Sequence, residues 1–155
     1  MIEGIPYAMS PMHTPIHQTV NGNLYARFDI ALKKACKDWK AYLPIDWKIV
    51  NNTIVQPDLL VVCKKIEKKY LDFTPILVVE ILSPSTAVKD RNIKKEIYLS
   101  QQVKYFLIID PQLKKLEIYE LLNNAYSPVA ISPNNFVFTF EDECKADVNF
   151  EDIWD

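Results

Sequence analysis

Only two glycines, Gly4 and Gly22, occur in 155 residues. Phosphate-cradling loops of the P-loop and Rossmann types need several glycines at fixed spacing, because the backbone must turn tightly against the phosphates. Both types are therefore excluded, and nucleotide cofactors held in that way with them. Histidine is equally scarce, with two residues, and the three cysteines, Cys36, Cys63 and Cys144, are widely spaced and form no C-x-x-C pair. Neither structural zinc nor a disulfide framework is expected, and a reduced, cytoplasmic protein is the default. The chain opens Met-Ile-Glu-Gly instead of with a basic and then apolar leader, and no apolar run approaches the length of a membrane span. A membrane partner is not expected.

No strong charge imbalance exists either. Charged residues make up 25% of the chain and the formal net charge is -2, so any contact with a polyanion requires a local basic face. Lysines do cluster, at Lys33-Lys34, Lys64-Lys65, Lys68-Lys69, Lys94-Lys95 and Lys114-Lys115, while acids gather between Glu141 and Asp155. Solvated surface is the ordinary explanation for each pair. Hydrophobic residues make up 49% of the chain, ample for one core, and a single domain spanning 1–155 is expected.

Along the chain, residues 2–9 read as a short extended piece and 10–15 as a turn-rich connector. Val20, Leu24, Phe28, Ala31 and Ala35 recur at three- and four-residue steps and predict an amphipathic helix from His17 to about Cys36, with Gly22 its weak point. A hairpin follows, with strands over Asp46–Val50 and Thr53–Val62 around an Asn51-Asn52 turn. Ile76–Leu82 is a near-continuous apolar run suited to a central strand. Ser83-Pro84-Ser85-Thr86 supplies helix-start chemistry for a helix from about Ala87 to Gln101. Strands are then expected at Tyr105–Ile109, Lys115–Leu122, Tyr126–Ile131 and Phe136–Phe140, before an acidic tail. This order is a mixed α/β (α+β) layout in which Ile76 through Ile109 forms a parallel strand–helix–strand unit.

Two acids interrupt the apolar strands: Asp58 in Gln56-Pro57-Asp58-Leu59-Leu60-Val61-Val62, and Glu80 in Leu77-Val78-Val79-Glu80-Ile81-Leu82. A buried carboxylate is costly unless a cation or hydrogen bonds compensate it. Two carboxylates brought together by adjacent strands repel, and a divalent ion relieves that repulsion. Magnesium suits such a pair, being a hard ion that uses one or two protein carboxylates and leaves positions for water and phosphate. A plain structural role also fits, with Asp58 capping a strand end and Glu80 paired to a lysine. On the following helix Lys94 has Asp90 one turn before it and Tyr98 one turn after. Lys94 can either face Glu80, offsetting charge beside a metal-bound water, or pair with Asp90 at i,i+4.

These strings, with Asp90-x-x-x-Lys94-x-x-x-Tyr98 and Tyr105-Phe106-Leu107-Ile108-Ile109-Asp110-Pro111, closely resemble the Uma-type putative restriction endonuclease family of the PD-(D/E)xK nuclease superfamily. The resemblance runs from Met9-Ser10-Pro11 and His17-Gln18 to Ile153. It implies a restriction-endonuclease-like mixed central sheet flanked by helices. It also implies a metal held by Asp58, Glu80 and the backbone carbonyl of Ile81. The superfamily's lysine, two residues after the acid, is replaced here by Leu82. Lys94 matches the lysine this family carries on the next helix and takes the catalytic role, with Lys89 as a substitute. His17, Gln18 and Tyr98 are the accessory positions. Members of the family usually carry a helix and a strand ahead of the segment Glu3–Met9, so the start of this chain looks shortened.

The implied activity is a magnesium- or manganese-dependent endonuclease acting on DNA as a homodimer, since cutting both strands takes two sites. A reading from a different class is a catalytically silent nuclease fold that binds or assembles. The net acidic charge and short start favour it, and the intact acid pair argues against it.

Overall fold

A computed structural model describes residues 2–4, 14–50, 52–84 and 88–155, with the backbone alone at 89 and 90. Its centre is a six-stranded sheet in the order β1-β4-β5-β6-β7-β8, built from β1 (Lys40–Tyr42), β4 (Leu59–Val62), β5 (Leu77–Ile81), β6 (Tyr105–Asp110), β7 (Lys115–Leu122) and β8 (Ala125–Ile131). β5 and β6 run parallel, joined by helix α2 (Val88–Ser100); the other pairings are antiparallel. Two hairpins lie outside this sheet, β2 (Trp47–Ile49) with β3 (Thr53–Val55), and β9 (Asn135–Thr139) with β10 (Lys145–Asn149). The mixed layout expected from the sequence is present.

Strand alternation divides the core. Leu59, Val61, Leu77, Val79, Ile81, Tyr105, Leu107 and Ile109 face one way, against α1 (Pro15–Ala35) and the β9–β10 hairpin. Leu60, Val62, Val78 and Phe106 face the other, against Trp47, Leu71, Tyr98 and Val103. Successive strand residues point to opposite faces, so the nearly unbroken apolar runs of β4 and β5 belong to strands covered on both sides. Glu80 shares the face of Val78 and looks toward α2.

Several boundaries differ from the sequence expectation. α1 starts at Pro15, two residues early, because Thr14 serves as N-cap and its hydroxyl accepts from the His17 N–H at 3.3 Å; proline is favoured in the first helical turn, where no N–H is needed. The expected strand Thr53–Val62 is two strands. The chain leaves the β2–β3 hairpin at Gln56-Pro57-Asp58 and enters the central sheet at Leu59. Asp58 therefore sits at a junction and not within a hairpin strand. β1 was too short to read from a pattern. The supposed acidic tail contains β10, whose Ala146 and Val148, followed by Phe150, are buried; that alternation outweighs the local charge. The N-terminal piece at 5–13 and the capping residues Ser85 and Thr86 lie outside the described residues.

The cysteine expectation is overturned. Cys36, the residue that caps the end of α1, and Cys144, beside the β9–β10 turn, form a disulfide with Cα atoms 5.8 Å apart. A sequence separation of 108 residues hides a proximity created only when α1 packs on that hairpin. Cys63 is the free, exposed cysteine. Among the described residues no helix is long and apolar enough to cross a membrane.

Two stability effects follow. Closing a loop of this size confines the unfolded chain, so reducing the disulfide should lower unfolding stability by on the order of 3 to 5 kcal/mol; coincident urea midpoints for the oxidised and reduced protein would refute this. At Gly22 an added Cβ meets nothing within 4 Å, so Gly22→Ala should raise stability by about 1 kcal/mol, read as an increased thermal midpoint.

Candidate active site

The ladder between β4 and β5 pairs Leu59 with Val79, and the Asp58 N–H extends the contact by donating to the Val79 carbonyl at 3.0 Å. Pro57, one residue earlier, has no N–H to offer β5. The Ile81 N–H is taken up by Asp58, whose Oδ2 accepts it at 2.7 Å. A short Pro-Asp step thus replaces a backbone rung with a side-chain one. It fixes the Asp58 carboxylate at the end of β5, one residue from Glu80.

Helix α1 completes the Asp58 side. His17 places Nε2 3.1 Å from Asp58 Oδ1, and Asn21, one turn later, donates from Nδ2 to the Asp58 carbonyl at 2.8 Å. Both residues are buried. Asn21 Oδ1 is buried without a hydrogen-bond partner among the described residues. Asn21 was not foreseen. Its signal was available, since it stands beside Val20 and one turn from His17 on the stripe that the helix buries.

Helix α2 completes the Glu80 side. Lys94 Nζ donates to Glu80 Oε2 at 3.1 Å, and the Tyr98 hydroxyl makes a short hydrogen bond to Oε1. Positions i and i+4 of a helix share a face, so the two residues approach the carboxylate together. Tyr98 is fully buried, and its ring stacks on Trp47 with centroids 6.1 Å apart and planes 5° apart. Burial pushes the Tyr98 phenol well above its ordinary pKa, with the Glu80 charge adding to the effect; it stays a donor. Burial likewise raises Glu80 from 4.5 to about 7, the Lys94 charge opposing and the Asp58 charge reinforcing that rise.

Of the residues singled out in the sequence, the structure brings together Asp58, Glu80, Lys94, Tyr98, His17 and the Ile81 peptide. Gln18 does not join them. It is exposed, one position around α1 from the buried His17. The Lys89 and Asp90 side chains lie outside the described residues. No cluster of three or more histidine, cysteine or acidic side chains suited to a metal occurs among the described residues, so any ion at this end of β5 would rest on the two carboxylates and a backbone oxygen.

A mixed sheet with acids at the end of one central strand and at the entry to its neighbour, flanked by helices, has the layout of a restriction-endonuclease-like fold. The crystal structure of a putative nuclease belonging to DUF820 from Anabaena variabilis shares it. That protein matches this chain with a TM-score of 0.68 at 15% identity, over 85% of this chain and 75% of its own. The chain belongs to the Uma2 family, described as putative restriction endonuclease, whose pattern matches residues 1–148. No curated protein matches it.

The Glu80 environment predicts a pH effect on stability in metal-free solution. The folded-state pKa lies above the unfolded value, so the folded protein binds the extra proton between pH 4.5 and about 7. Stability from this group is intact below 4.5 and falls as pH rises through 7, by about 3 kcal/mol in all. Glu80→Gln should remove that slope, and chemical denaturation from pH 4.5 to 8 with chelator would show it. A difference between wild type and variant that stays constant across the range would contradict the assignment.

Proposed function

We propose that this chain is a divalent-metal-dependent endonuclease that hydrolyses DNA phosphodiester bonds within a single domain spanning 1–155. The observation that carries this reading is the convergence of two buried acids, each already oriented by its partners, at the end of β5. A magnesium or manganese ion fits this donor set. Each carboxylate oxygen has a partner among the described residues, and a carboxylate offers about four acceptor sites, so both acids can also take part in coordination. The residues that would hold the ion are Asp58, Glu80 and the Ile81 carbonyl.

When bound, such an ion polarises the scissile phosphate and lowers the pKa of a water. The chain's own residues do the rest. His17 and the Ile81 N–H hold the Asp58 carboxylate in one orientation, and Tyr98 does the same for Glu80. Buried groups positioned before the reaction lose little in reorganisation at the transition state. Lys94 is the mobile cation. Its side chain keeps 22% of its surface exposed while Glu80 keeps 10%, so the ammonium reaches solvent and can swing from the acid to the charge that builds on the phosphate. In this reading it supplies the charge that the resemblance leaves missing at Leu82, whose N–H donates to the Ile109 carbonyl.

Purified protein with magnesium or manganese should cut plasmid or linear DNA. Asp58→Ala and Glu80→Ala should each abolish cutting, and Lys94→Ala should slow it by on the order of 100- to 1,000-fold, as for removal of one group that stabilises transition-state charge. Tyr98→Phe should cost far less. Wild-type protein that leaves supercoiled, linear and single-stranded DNA intact, or acid variants that cut equally well, would remove this reading and leave a silent binding module.

A further inference from the structure

The lysine pairs that are equivalent in the sequence are not equivalent in the fold. Lys33 is paired with Asp29, Lys68 with Asp72, Lys94 with Glu80 and Lys115 with Glu117. Lys64, Lys65 and Lys69 in the β4–β5 loop, and Lys48 on β2, are exposed. Among the described residues no carboxylate pairs with any of these four. The loop's own acids are Glu67 and the already paired Asp72, so the surface is strongly positive on a chain of net charge -2.

This surface is built rather than merely charged. Leu71 is fully buried and stitches the loop to β2, accepting from the Lys48 N–H and donating to the Asp46 carbonyl, both at 2.8 Å. The Tyr42 hydroxyl accepts from the Ile66 N–H at 3.1 Å. Two aromatic rings then hold the ammonium groups in place: Lys48 lies 3.9 Å above Tyr70, with Lys68 5.6 Å from the same ring, and Lys64 lies 4.6 Å above Phe73. A cation over a ring face keeps its charge while losing side-chain freedom. The rings are occupied by lysines and are not open for base stacking, which suits contact with a backbone.

The surface is also near the acids. Tyr98, bonded to Glu80, stacks on Trp47, and Trp47 is bridged to Leu71 and adjoins Lys48. Two packed residues, Tyr98 and Trp47, lie between Glu80 and the loop, a span well within one turn of duplex, about 34 Å. A membrane is disfavoured, because residues 64–73 present no exposed large apolar side chain of the kind that inserts at a lipid surface.

We propose that Lys48, Lys64, Lys65 and Lys69 form the seat for the sugar-phosphate backbone of a DNA duplex, gripping it independently of sequence while the acid site engages a neighbouring phosphate. This extends the endonuclease reading but is tested apart from it, by binding without metal. Fluorescence anisotropy of a labelled duplex, titrated in chelator across a salt series, compares the wild type with the triple variant Lys64→Gln/Lys65→Gln/Lys69→Gln. The control is Lys33→Gln/Lys34→Gln/Lys37→Gln, at the far end of α1. The patch variant should keep its thermal midpoint and bind at least about ten-fold more weakly at low salt. Its log K against log salt slope should flatten by roughly 0.9 for each phosphate that the variant no longer neutralises. The control should match the wild type. Wild-type protein that binds no duplex, equal weakening in the two variants, or a patch variant in which only adhesion to phosphatidylserine vesicles is impaired would each overturn the proposal. Retained binding without cleavage would instead fault only the endonuclease reading.

Discussion

The Glu80 carboxylate is the constraint on which the rest of the structure depends. It lies buried near the end of the central strand β5, where an ion without partners costs several kcal/mol. A strand cannot satisfy it from its own backbone, so partners must come from outside the sheet. Helix α2 provides them in one register, with Lys94 and Tyr98 on the same face. Because Tyr98 is itself buried against Trp47, the β2–β3 hairpin is drawn to the same place. One polar requirement thus sets the positions of a helix and a hairpin that share no strand pairing with β5.

The neighbouring acid shows the same logic with different groups. Asp58 is bonded by the β5 backbone and approached by His17 and Asn21 from α1. α1 is in turn fastened midway, where Arg27 donates to the Glu151 carbonyl at 3.0 Å, and at its other end, where Cys36 meets Cys144. The helix that orients one acid is therefore anchored to the last strands of the chain. This gives β9 and β10 a bearing on the acid pair although neither strand reaches it.

How much of this could be read beforehand varied with the length over which each signal acts. The apolar runs of β5 and β6, the helix between them and the boundaries of β7 were legible, because each is a local pattern repeated over several residues. The break at Pro57 was not, since the runs on either side look continuous. β10 was masked by its acids, and β1 by its brevity. Within the site, Asp58, Glu80, Lys94 and Tyr98 stood out as polar groups at conspicuous spacing. Asn21 did not, since a lone asparagine on an apolar stripe gains meaning only from what it touches.

What the sequence by itself determined was the set of buried surfaces: hydrophobic periodicity decides which face of a strand or helix leaves water, and it needs no knowledge of neighbours. It also determined the absence of glycine-rich phosphate loops. Only the tertiary structure decided which charges meet. Lys94 turned to Glu80, His17 to Asp58 and Cys36 to Cys144, while Lys64, Lys65 and Lys69 of the β4–β5 loop were set apart from carboxylates. Electrostatic contacts and disulfides act over a few ångströms in space and are indifferent to separation along the chain, so folding had to bring the partners together before their chemistry could be told apart.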